Sequence, residues 1–389
     1  MQIVIPMSGF GERFRKAGYD VPKPLIKVDG KPIIQHVVEM FPGENDIVFI
    51  CNKDHLQEPE YGMRETLESI VPSGRIISID PHKLGPVHAV LQAIEELDPE
   101  KETIVNYADF TCDWNYRDFC NMVEETKCDG AIPCYRGFHP HTLWSNYYAY
   151  VREESMRAWD IREKTPFTDS PREEFASSGT YYFRTSKLMQ QYFERCVSEG
   201  LTVAGEYYVS MVYKPMMQDD LNIQIYELEH FMQWGTPSDL EEYCYWSKTF
   251  NLILNEKEPP KQSGGLILPM VGAGSRFQKE GYRTAKPLIQ VSGRPMALQA
   301  LDDLPKTERQ KFVLRKDLVG IDQLKEALYK QSKTAEFVEL DYMTDGQATT
   351  CVEGANGLEI DEPVTIAACD NGMIYDANLF QSLMDSDDV

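Results

Sequence analysis

The sequence predicts an α/β protein with a Rossmann-like, doubly wound mixed sheet in two copies, the second of them incomplete. Three observations support this prediction. Strand-like and helix-like apolar patterns alternate through the first 107 residues, a segment rich in Gly, Pro, Arg and Lys occurs twice, and the region after residue 129 is dense in Tyr and Trp. With 389 residues, the chain is long enough for two or three domains.

The alternation at the start of the chain is typical of a parallel sheet covered by helices. Strands are expected at 3–6, 47–51, 75–79 and 103–107, and helices at 32–41, 55–70 and 87–97. In a doubly wound sheet of order 3-2-1-4, the first and fourth strands are neighbours. Ligands bind beyond their carboxyl ends, so residues about 100 positions apart are predicted to face one crevice.

The pattern changes after residue 129. Strands at 146–152 and 179–184 follow without long helices between them, which predicts an antiparallel lobe added to the sheet. A helix is expected at 238–254. The segment NEKEPPKQSGG, with Pro-Pro and Gly-Gly, indicates a linker at 256–265. We therefore predict domains at 1–255 and 266–389.

The internal repeat aligns residues 3–34 with 266–297 at a constant offset of 263, and 16 of these 32 positions are identical. Further along, Gly85 matches Gly346 and Asp109 matches Asp370 at an offset of 261. Residue 389 then corresponds to Cys128, so the second copy is expected to contain the N-terminal half of the domain only. It is either a natural half domain or a domain of which the sequence holds a part.

Composition restricts the function classes. The formal net charge is −23 and the sequence pI about 4.7, which argues against nucleic acid or an anionic membrane as a partner. The nine cysteines form no C-x-x-C pair, and the start of the sequence has no basic, apolar leader pattern. We expect a cytoplasmic protein with free thiols.

The segment after the first strand has the chemistry of a phosphate-binding loop. Glycines allow the backbone of residues 7–11 to approach a ligand closely, and exposed amides attract phosphate. Arg13 can bind a phosphate with two hydrogen bonds, and Lys23 adds a point charge. A G-x-G pair alone is a weak signal, and the loop matches neither the G-K-[ST] nor the dinucleotide motif. Asp109 follows the fourth strand, so it is predicted to face the same crevice.

The complete set of motifs resembles one family, the sugar-phosphate nucleotidyltransferases or NDP-sugar pyrophosphorylases. The family pattern G-x-G-[ST]-R-[FL] with P-K-P-L matches GFGERF at 9–14 and PKPL at 22–25, with Glu12 replacing Ser or Thr. The second copy has GAGSRF at 272–277 and AKPL at 285–288. Weaker similarities lie at 84–87, 162–164, 178–183, 204–208 and 234–237. The resemblance implies a nucleotide-diphospho-sugar transferase type, GT-A-like fold.

The resemblance also implies roles for individual residues. Expected catalytic residues are Arg13, Lys23 and Asp109, with Asp109 also binding Mg²⁺. Expected nucleotide-binding residues are Met7, Ser8, Gly9, Gly11 and Gly85, and expected sugar-phosphate-binding residues are Lys164, Gly179 and Glu206. The second copy contributes Gly272, Gly274, Arg276, Lys286 and Asp370. One departure is Gln233, which replaces the second metal-binding Asp of the family and is a poor ligand for Mg²⁺.

The activity implied is transfer of a nucleotidyl group from a nucleoside triphosphate to a sugar 1-phosphate, releasing pyrophosphate, with surface polysaccharide synthesis as the expected pathway. Three alternatives remain: a cytidylyltransferase acting on phosphocholine, a nucleotide-binding regulatory or scaffold protein without turnover, and a glycosyltransferase. The last is the weakest because neither Asp109 nor Asp370 lies in a D-x-D motif. The base, the sugar and the formation of a homo-oligomer are left open.

Overall fold

The chain divides between residues 247 and 248 into a first unit and a second unit. These are seen in a computed structural model that describes residues 1–139, 147–254, 262–359, 361 and 363–386. The predicted boundary at 255 lies just beyond the end of the helix Pro237–Leu254, and the observed division falls inside this helix. Within the described ranges, no helix is both long and apolar enough to cross a membrane.

The strands of the first unit alternate with helices up to residue 126. In chain order they are β1 (Gln2–Met7), β2 (Lys27–Val28), β3 (Lys31–Pro32), β4 (Asp46–Asn52), β5 (Arg75–Ile79), β6 (Thr103–Asn106), β7 (Phe110–Asp113), β8 (Gly130–Tyr135), β9 (Ala149–Glu154), β10 (Arg157–Glu163), β11 (Phe175–Ser177), β12 (Thr180–Phe183), β13 (Ile223–Glu227) and β14 (His230–Gln233). The helices are α1 (Glu12–Lys16), α2 (Ile33–Glu39), α3 (Lys53–Gln57), α4 (Met63–Ile70), α5 (Pro86–Gln92), α6 (Tyr116–Thr126), α7 (Ser186–Ser198), α8 (Val209–Gln218) and α9 (Pro237–Leu254).

Ten of these strands form one mixed sheet, in the order β11-β9-β10-β13-β8-β12-β6-β1-β4-β5. The four strands β5-β4-β1-β6 are parallel and have the predicted order, with Val4 opposite both Val48 and Val105. Strand β12 pairs antiparallel with β6 and β8, which joins the two halves of the sheet. A separate two-stranded ribbon pairs β7 with β14.

Both faces of the parallel half are buried, as expected for a sheet covered by helices on two sides. Ile3 and Ile5 lie in one core and Val4 in the other, and all three are fully buried. The alternation of side chains along β1 therefore supplies both cores from one strand.

Three elements differ from the sequence prediction. The helix predicted at 55–70 is divided into α3, a 3₁₀ turn (Pro59–Tyr61) and α4, because Pro59 cannot continue a helix and Gly62 adopts a left-handed conformation. The helix predicted at 87–97 ends at Gln92 and continues as a 3₁₀ turn. The antiparallel half contains α7 and α8, although no long helices were expected there.

The second unit has strands β15 (Gln262–Met270), β16 (Gln290–Val291), β17 (Arg294–Pro295), β18 (Thr307–Arg315), β19 (Ala335–Leu340) and β20 (Val364–Ile366). Its helices are α10 (Ser275–Lys279), α11 (Met296–Asp302), α12 (Ile321–Gln331), α13 (Gln347–Ala355) and α14 (Ala377–Met384). The sheet order β19-β18-β15-β20 repeats β5-β4-β1-β6, and all four strands are parallel.

The end of the predicted linker is part of a strand. Residues 262–265 belong to β15, where Gly265 pairs with both Arg309 and Val364. The backbone N–H of Gly265 donates to the carbonyl of Pro363 at 3.0 Å. The two glycines were assigned to a linker, but a Cβ at Gly264 would clash with the carbonyl oxygen of Pro363, so this glycine allows a neighbouring backbone to approach closely.

Candidate functional site

A cleft of about 560 Å³ opens at the carboxyl ends of β1 and β6. This is the edge at which parallel α/β sheets bind ligands. The cleft is lined by every residue predicted for the site in the first unit, namely Met7, Ser8, Gly9, Gly11, Arg13, Lys23, Gly85, Asp109, Lys164, Gly179 and Glu206. The fold thus brings together side chains that are up to 199 positions apart in the sequence.

The glycine loop connects β1 to α1 on one side of the cleft. Gly11 adopts a left-handed conformation, with φ of 62°, immediately before the helix. A Cβ atom at Gly11 would lie 3.9 Å from the backbone nitrogen of Lys23, so the loop passes close to the 3₁₀ turn (Lys23–Leu25). The Ser8 carbonyl accepts a hydrogen bond from the amide of buried Asn52 at 3.2 Å, which anchors the loop to β4.

A lysine–aspartate pair lies below this loop. The Lys23 ammonium donates to the Asp109 carboxylate, with 2.7 Å between Nζ and Oδ2, and both side chains are partly exposed to the cleft. Asp109 lies between β6 and β7, and its carbonyl accepts the backbone N–H of buried Trp234 at 2.9 Å. The Arg13 guanidinium lies 5.3 Å from the ring centroid of Tyr147. Arg13, Lys23 and Asp109 therefore line this part of the cleft together with a second ion pair, formed by Lys83 and Glu12.

A second charged cluster lies at the other end, after β10. The Lys164 ammonium donates to the Tyr208 hydroxyl at 2.5 Å, and this hydroxyl donates to the Glu206 carboxylate. Burial raises the pKa of Tyr208, as does its hydrogen bond to Glu206, so the phenol stays protonated and acts as a donor.

Glu163, the residue before Lys164, also lines the cleft. Its carboxylate accepts a hydrogen bond from the Ser210 hydroxyl at 2.6 Å. Burial raises the pKa of Glu163, while the Ser210 bond and the Lys164 charge oppose this shift. The cleft therefore contains a partly buried acid that lies in the segment 162–164 resembling the family but to which no role was assigned.

Gly85 connects the two ends of the cleft. It has φ of 89°, and a Cβ there would lie 2.8 Å from both the backbone nitrogen and the oxygen of Tyr207. The Tyr207 N–H donates to the Leu84 carbonyl at 2.9 Å, and the Val87 N–H donates to the Tyr207 carbonyl at 3.2 Å. The loop before α5 is thus bonded directly to the segment that carries Glu206 and Tyr208.

Asp109 is the carboxylate that could hold a divalent cation. Among the described residues, no cluster of three or more His, Cys, Asp or Glu side chains is arranged to bind a metal. Mg²⁺ is commonly held by one or two carboxylates together with substrate phosphates, so one carboxylate facing a phosphate-binding loop fits this ion. Gln233 is near, since a Cβ at Gly235 would lie 2.6 Å from its amide nitrogen and 3.6 Å from Asp109 Oδ2.

A second acid influenced by Asp109 is Asp239, which the sequence did not suggest. Its carboxylate accepts the Thr236 hydroxyl at 2.7 Å and the Thr236 N–H at 3.1 Å. Burial raises the pKa of Asp239, and the charge of Asp109 adds to the shift. Asp113, the last residue of β7, does not line the cleft and lies in the ribbon opposite His230.

The second unit reproduces the glycine-loop end of this geometry. Gly274 precedes α10 with φ of 64°, and a Cβ there would lie 3.1 Å from the Cβ of Lys286. The Lys286 ammonium is 2.5 Å from the Asp370 carboxylate. Gly272 lies in the loop before Gly274, and Arg276 lies in α10, the helix that corresponds to the one carrying Arg13.

Residues that sequence reasoning missed are mostly in the antiparallel half. Glu163 and Tyr208 lie in the segments 162–164 and 204–208 that resemble the family, but no role was assigned to either residue, and Ser210 lies outside every motif. Their neighbours in the cleft come from distant parts of the chain. One signal was readable: Met189, Tyr192, Phe193 and Cys196 share the 3.6-residue spacing of a helix face, and all are buried on α7. It would have identified α7 but not the site.

Comparisons with known proteins bear on the family of the chain. The profile of the family described as nucleotidyl transferase matches residues 3–219. A mannose-1-phosphate guanyltransferase of Gibberella zeae is 26% identical over 285 residues, covering 69% of this chain and 71% of that protein. The bifunctional protein GlmU of Paraburkholderia phymatum is 31% identical over 109 residues, which are 28% of this chain and 22% of that protein.

Solved structures show the same fold. A nucleoside-diphosphate-sugar pyrophosphorylase from Vibrio cholerae RC9 aligns with a TM-score of 0.51 and 20% identity, covering 63% of this chain and 100% of that one. A UDP-glucose pyrophosphorylase solved with UDP-glucose aligns with a TM-score of 0.50 and 16% identity, covering 64% and 98%. Since the family profile spans more than half of the residues, the chain belongs to the nucleotidyl transferase family and is a nucleotidyltransferase.

Proposed function

We propose that the first unit transfers a nucleotidyl group from a nucleoside triphosphate to a sugar 1-phosphate, forming an NDP-sugar and pyrophosphate. The observation that carries this proposal is the distribution of charge in one cleft. The glycine loop, Arg13 and the Lys23–Asp109 pair lie at one end, and Lys164 with its partners lies at the other. The relatives that make or bind NDP-sugars support a sugar phosphate as the acceptor.

The reaction needs no protein nucleophile. A phosphate oxygen of the acceptor attacks the α-phosphorus of the triphosphate, and the bond to the bridging oxygen of the β-phosphate breaks as pyrophosphate leaves. Catalysis then consists of positioning and stabilisation of charge. Arg13 and Lys23 bind the departing phosphates, while amides of residues 7–11 and the Gly85 turn hold the nucleotide.

We assign a Mg²⁺ ion to Asp109. When bound, it would reduce the negative charge on the phosphate oxygens. In the free protein the Asp109 carboxylate already bonds Lys23, so the same carboxylate orients a phosphate-binding lysine. Gln233 adds no second carboxylate and its amide nitrogen lies on this side, so the remaining ligands of the ion would come from the substrate phosphates.

The acceptor is assigned to the other end of the cleft. Lys164 is the cation available for the acceptor phosphate, and Glu206 and Glu163 offer carboxylate oxygens to sugar hydroxyls. Gly179 lies at the floor of this region, where its carbonyl accepts the Tyr107 N–H at 3.0 Å. We propose that the product serves polysaccharide synthesis in the cytoplasm.

The second unit is proposed to be an incomplete second copy that binds a nucleoside triphosphate without turning it over. The repeated motif, the repeated strand order and the Lys286–Asp370 pair support this. Calorimetry on the full chain with each triphosphate should find two sites, reduced to one by Lys286→Ala and also to one by Lys23→Ala. A single site that survives Lys286→Ala but not Lys23→Ala would overturn the second-copy assignment.

The activity is tested by pyrophosphate release from the full chain with four common triphosphates. Acceptors should include mannose 1-phosphate, glucose 1-phosphate and phosphocholine. We expect turnover with at least one sugar 1-phosphate. Turnover with CTP and phosphocholine alone would favour the cytidylyltransferase alternative, and nucleotide binding without any pyrophosphate release would favour the regulatory one.

A further inference from the structure

The strongest unexplained feature of the cleft is a single hydroxyl placed between two opposite charges. Tyr208 accepts a hydrogen bond from the Lys164 ammonium at 2.5 Å and donates one to the Glu206 carboxylate. The Lys164 Nζ also lies 4.2 Å from the centroid of the Tyr208 ring, within the range of a cation–π contact. Tyr208 lies in the segment 204–208 that resembles the family, but only its two partners were predicted to bind the sugar phosphate.

Resting on the function proposed above, we propose that Tyr208 is a positioning residue that keeps the Lys164 ammonium from pairing directly with Glu206 and directs it towards the acceptor phosphate. An ammonium neutralised by a carboxylate attracts a phosphate dianion less, because the two charges of the pair cancel at a distance. A neutral hydroxyl between them satisfies both groups and leaves the ammonium its charge.

The backbone around this hydroxyl is held firmly. Tyr208 immediately precedes α8, and the Val209 N–H donates to the Tyr107 hydroxyl at 3.2 Å. The neighbouring Tyr207 is bonded to the loop of Gly85 through its N–H and its carbonyl. The phenol is therefore fixed from both sides, which is what a group that orients a flexible lysine requires.

Lys164 itself is held in an unusual conformation. It has φ of 59°, in the left-handed region that a residue with a side chain seldom adopts. Its backbone N–H donates to the Tyr148 carbonyl at 2.8 Å. Such strain persists only where surrounding contacts determine it, and it is concentrated at functional positions. The backbone and the hydroxyl together fix the direction of the ammonium.

Three variants of the full chain test the proposal: Tyr208→Phe, Glu206→Gln and the double variant. The measured quantities are the dissociation constants of mannose 1-phosphate, glucose 1-phosphate and each triphosphate, together with pyrophosphate release. For Tyr208→Phe we expect about tenfold weaker binding of the acceptor, the loss typical of one hydrogen bond to a charged group. Triphosphate affinity should stay within about twofold, because the glycine-loop end is unchanged.

The double variant separates positioning from direct contact. If Tyr208 acts by holding Lys164 away from Glu206, removing the Glu206 charge should partly restore acceptor binding in Tyr208→Phe. The double variant should then bind the acceptor at least threefold more tightly than the product of the two single effects predicts. As a matched control, Tyr192→Phe removes another hydroxyl that donates to a carboxylate, Asp219 at 2.8 Å, outside the cleft. This control should leave acceptor binding unchanged.

Failure of the inference is distinguishable from failure of the proposed activity. Equal acceptor binding by Tyr208→Phe and the unsubstituted chain, or purely multiplicative effects in the double variant, would overturn the positioning role. Acceptor binding that depends on Tyr208 without any pyrophosphate release would uphold the role and reject the activity. A chain that binds neither sugar 1-phosphate would overturn both.

Discussion

The two units share the glycine loop and the lysine–aspartate pair for which we propose phosphate binding, and they differ in what surrounds these residues. Both place a left-handed glycine before a short helix, at Gly11 and Gly274, and both pair a lysine with the aspartate that follows the strand beside the glycine loop, at 2.7 Å and 2.5 Å. In the first unit the fourth strand is bordered by β12. In the described part of the second unit, β20 is the edge of its sheet.

Burial shows the consequence of this difference. Val105 on β6 is fully buried, whereas Ile366, its counterpart on β20, is 57% exposed. The glycine loop, Arg13, Lys23 and Asp109 all come from the first 110 residues of the first unit. The proposed acceptor end needs the antiparallel half, because Lys164, Glu206 and Tyr208 all belong to it.

The largest contrast is expected between the two lysines of the repeated motif. Lys23→Ala should lower pyrophosphate release by about 1,000-fold, since one charged group that stabilises a transition state contributes about this much. Lys286→Ala should leave turnover within about twofold. Circular dichroism should show both variants folded, and near-normal turnover of Lys23→Ala would show that the active cleft has been misplaced.

The aspartates should separate the units by metal dependence. Asp109→Asn is expected to lower turnover about 100-fold and to raise the Mg²⁺ concentration needed for half-maximal rate, because a carboxylate ligand is replaced by an amide. Asp370→Asn serves as the matched change in the second unit. An unaltered Mg²⁺ dependence in Asp109→Asn would place the ion elsewhere.

The corresponding glycines before α5 and α13 should differ in stability. Gly85→Ala puts a Cβ 2.8 Å from the backbone of Tyr207 at a φ of 89°, so we expect a loss of about 2–3 kcal/mol. Gly346 is extended, with φ of 166°, and a Cβ there meets nothing within 4 Å. Gly346→Ala should therefore cost under about 1 kcal/mol in denaturant unfolding. Equal losses would contradict the close approach at Gly85.

The smallest effect concerns the acid buried in the acceptor end. Because burial raises the pKa of Glu163 above its ordinary 4.5, the folded chain keeps this proton to higher pH than the unfolded chain does. The contribution of protonated Glu163 to the free energy of unfolding is therefore present in full below pH 4.5, and it is lost as the pH rises through the raised pKa of the folded chain.

Glu163→Gln cannot ionise, so at pH 8 its melting temperature should be a few degrees above that of the unsubstituted chain, since 1 kcal/mol corresponds to ~2–4 °C. At pH 4 the two melting temperatures should be equal. The exposed Glu173→Gln is the control and should change neither melting temperature. A lower melting temperature for Glu163→Gln at pH 8 would mean that the ionised carboxylate stabilises the fold.

Much of the architecture was readable from local patterns. The strands of the parallel half, their order and the glycine loop follow from apolar spacing and from residues within 25 positions of one another. The effect of proline was harder to predict. Apolar spacing predicted one helix over residues 55–70, but Pro59 interrupts it with a 3₁₀ turn. The two glycines at 264–265 were assigned to a linker and lie in β15. Glycine is typical both of a linker and of a strand position where another backbone approaches closely, so the residue type could not distinguish the two.

The sequence by itself determined the internal repeat, the glycine loop with the Arg13 and Lys23 on which the phosphate-binding proposal rests, and the parallel order that carries Asp109 to the same edge. Each depends on local spacing or on a general rule of sheet topology. Only the tertiary structure decided the other end of the cleft. Lys164 and Tyr208 are 44 positions apart and Gly85 and Tyr207 are 122 apart. Their contacts arise from the pairing of β12 with β6 and from the packing of the antiparallel half, which no local pattern encodes.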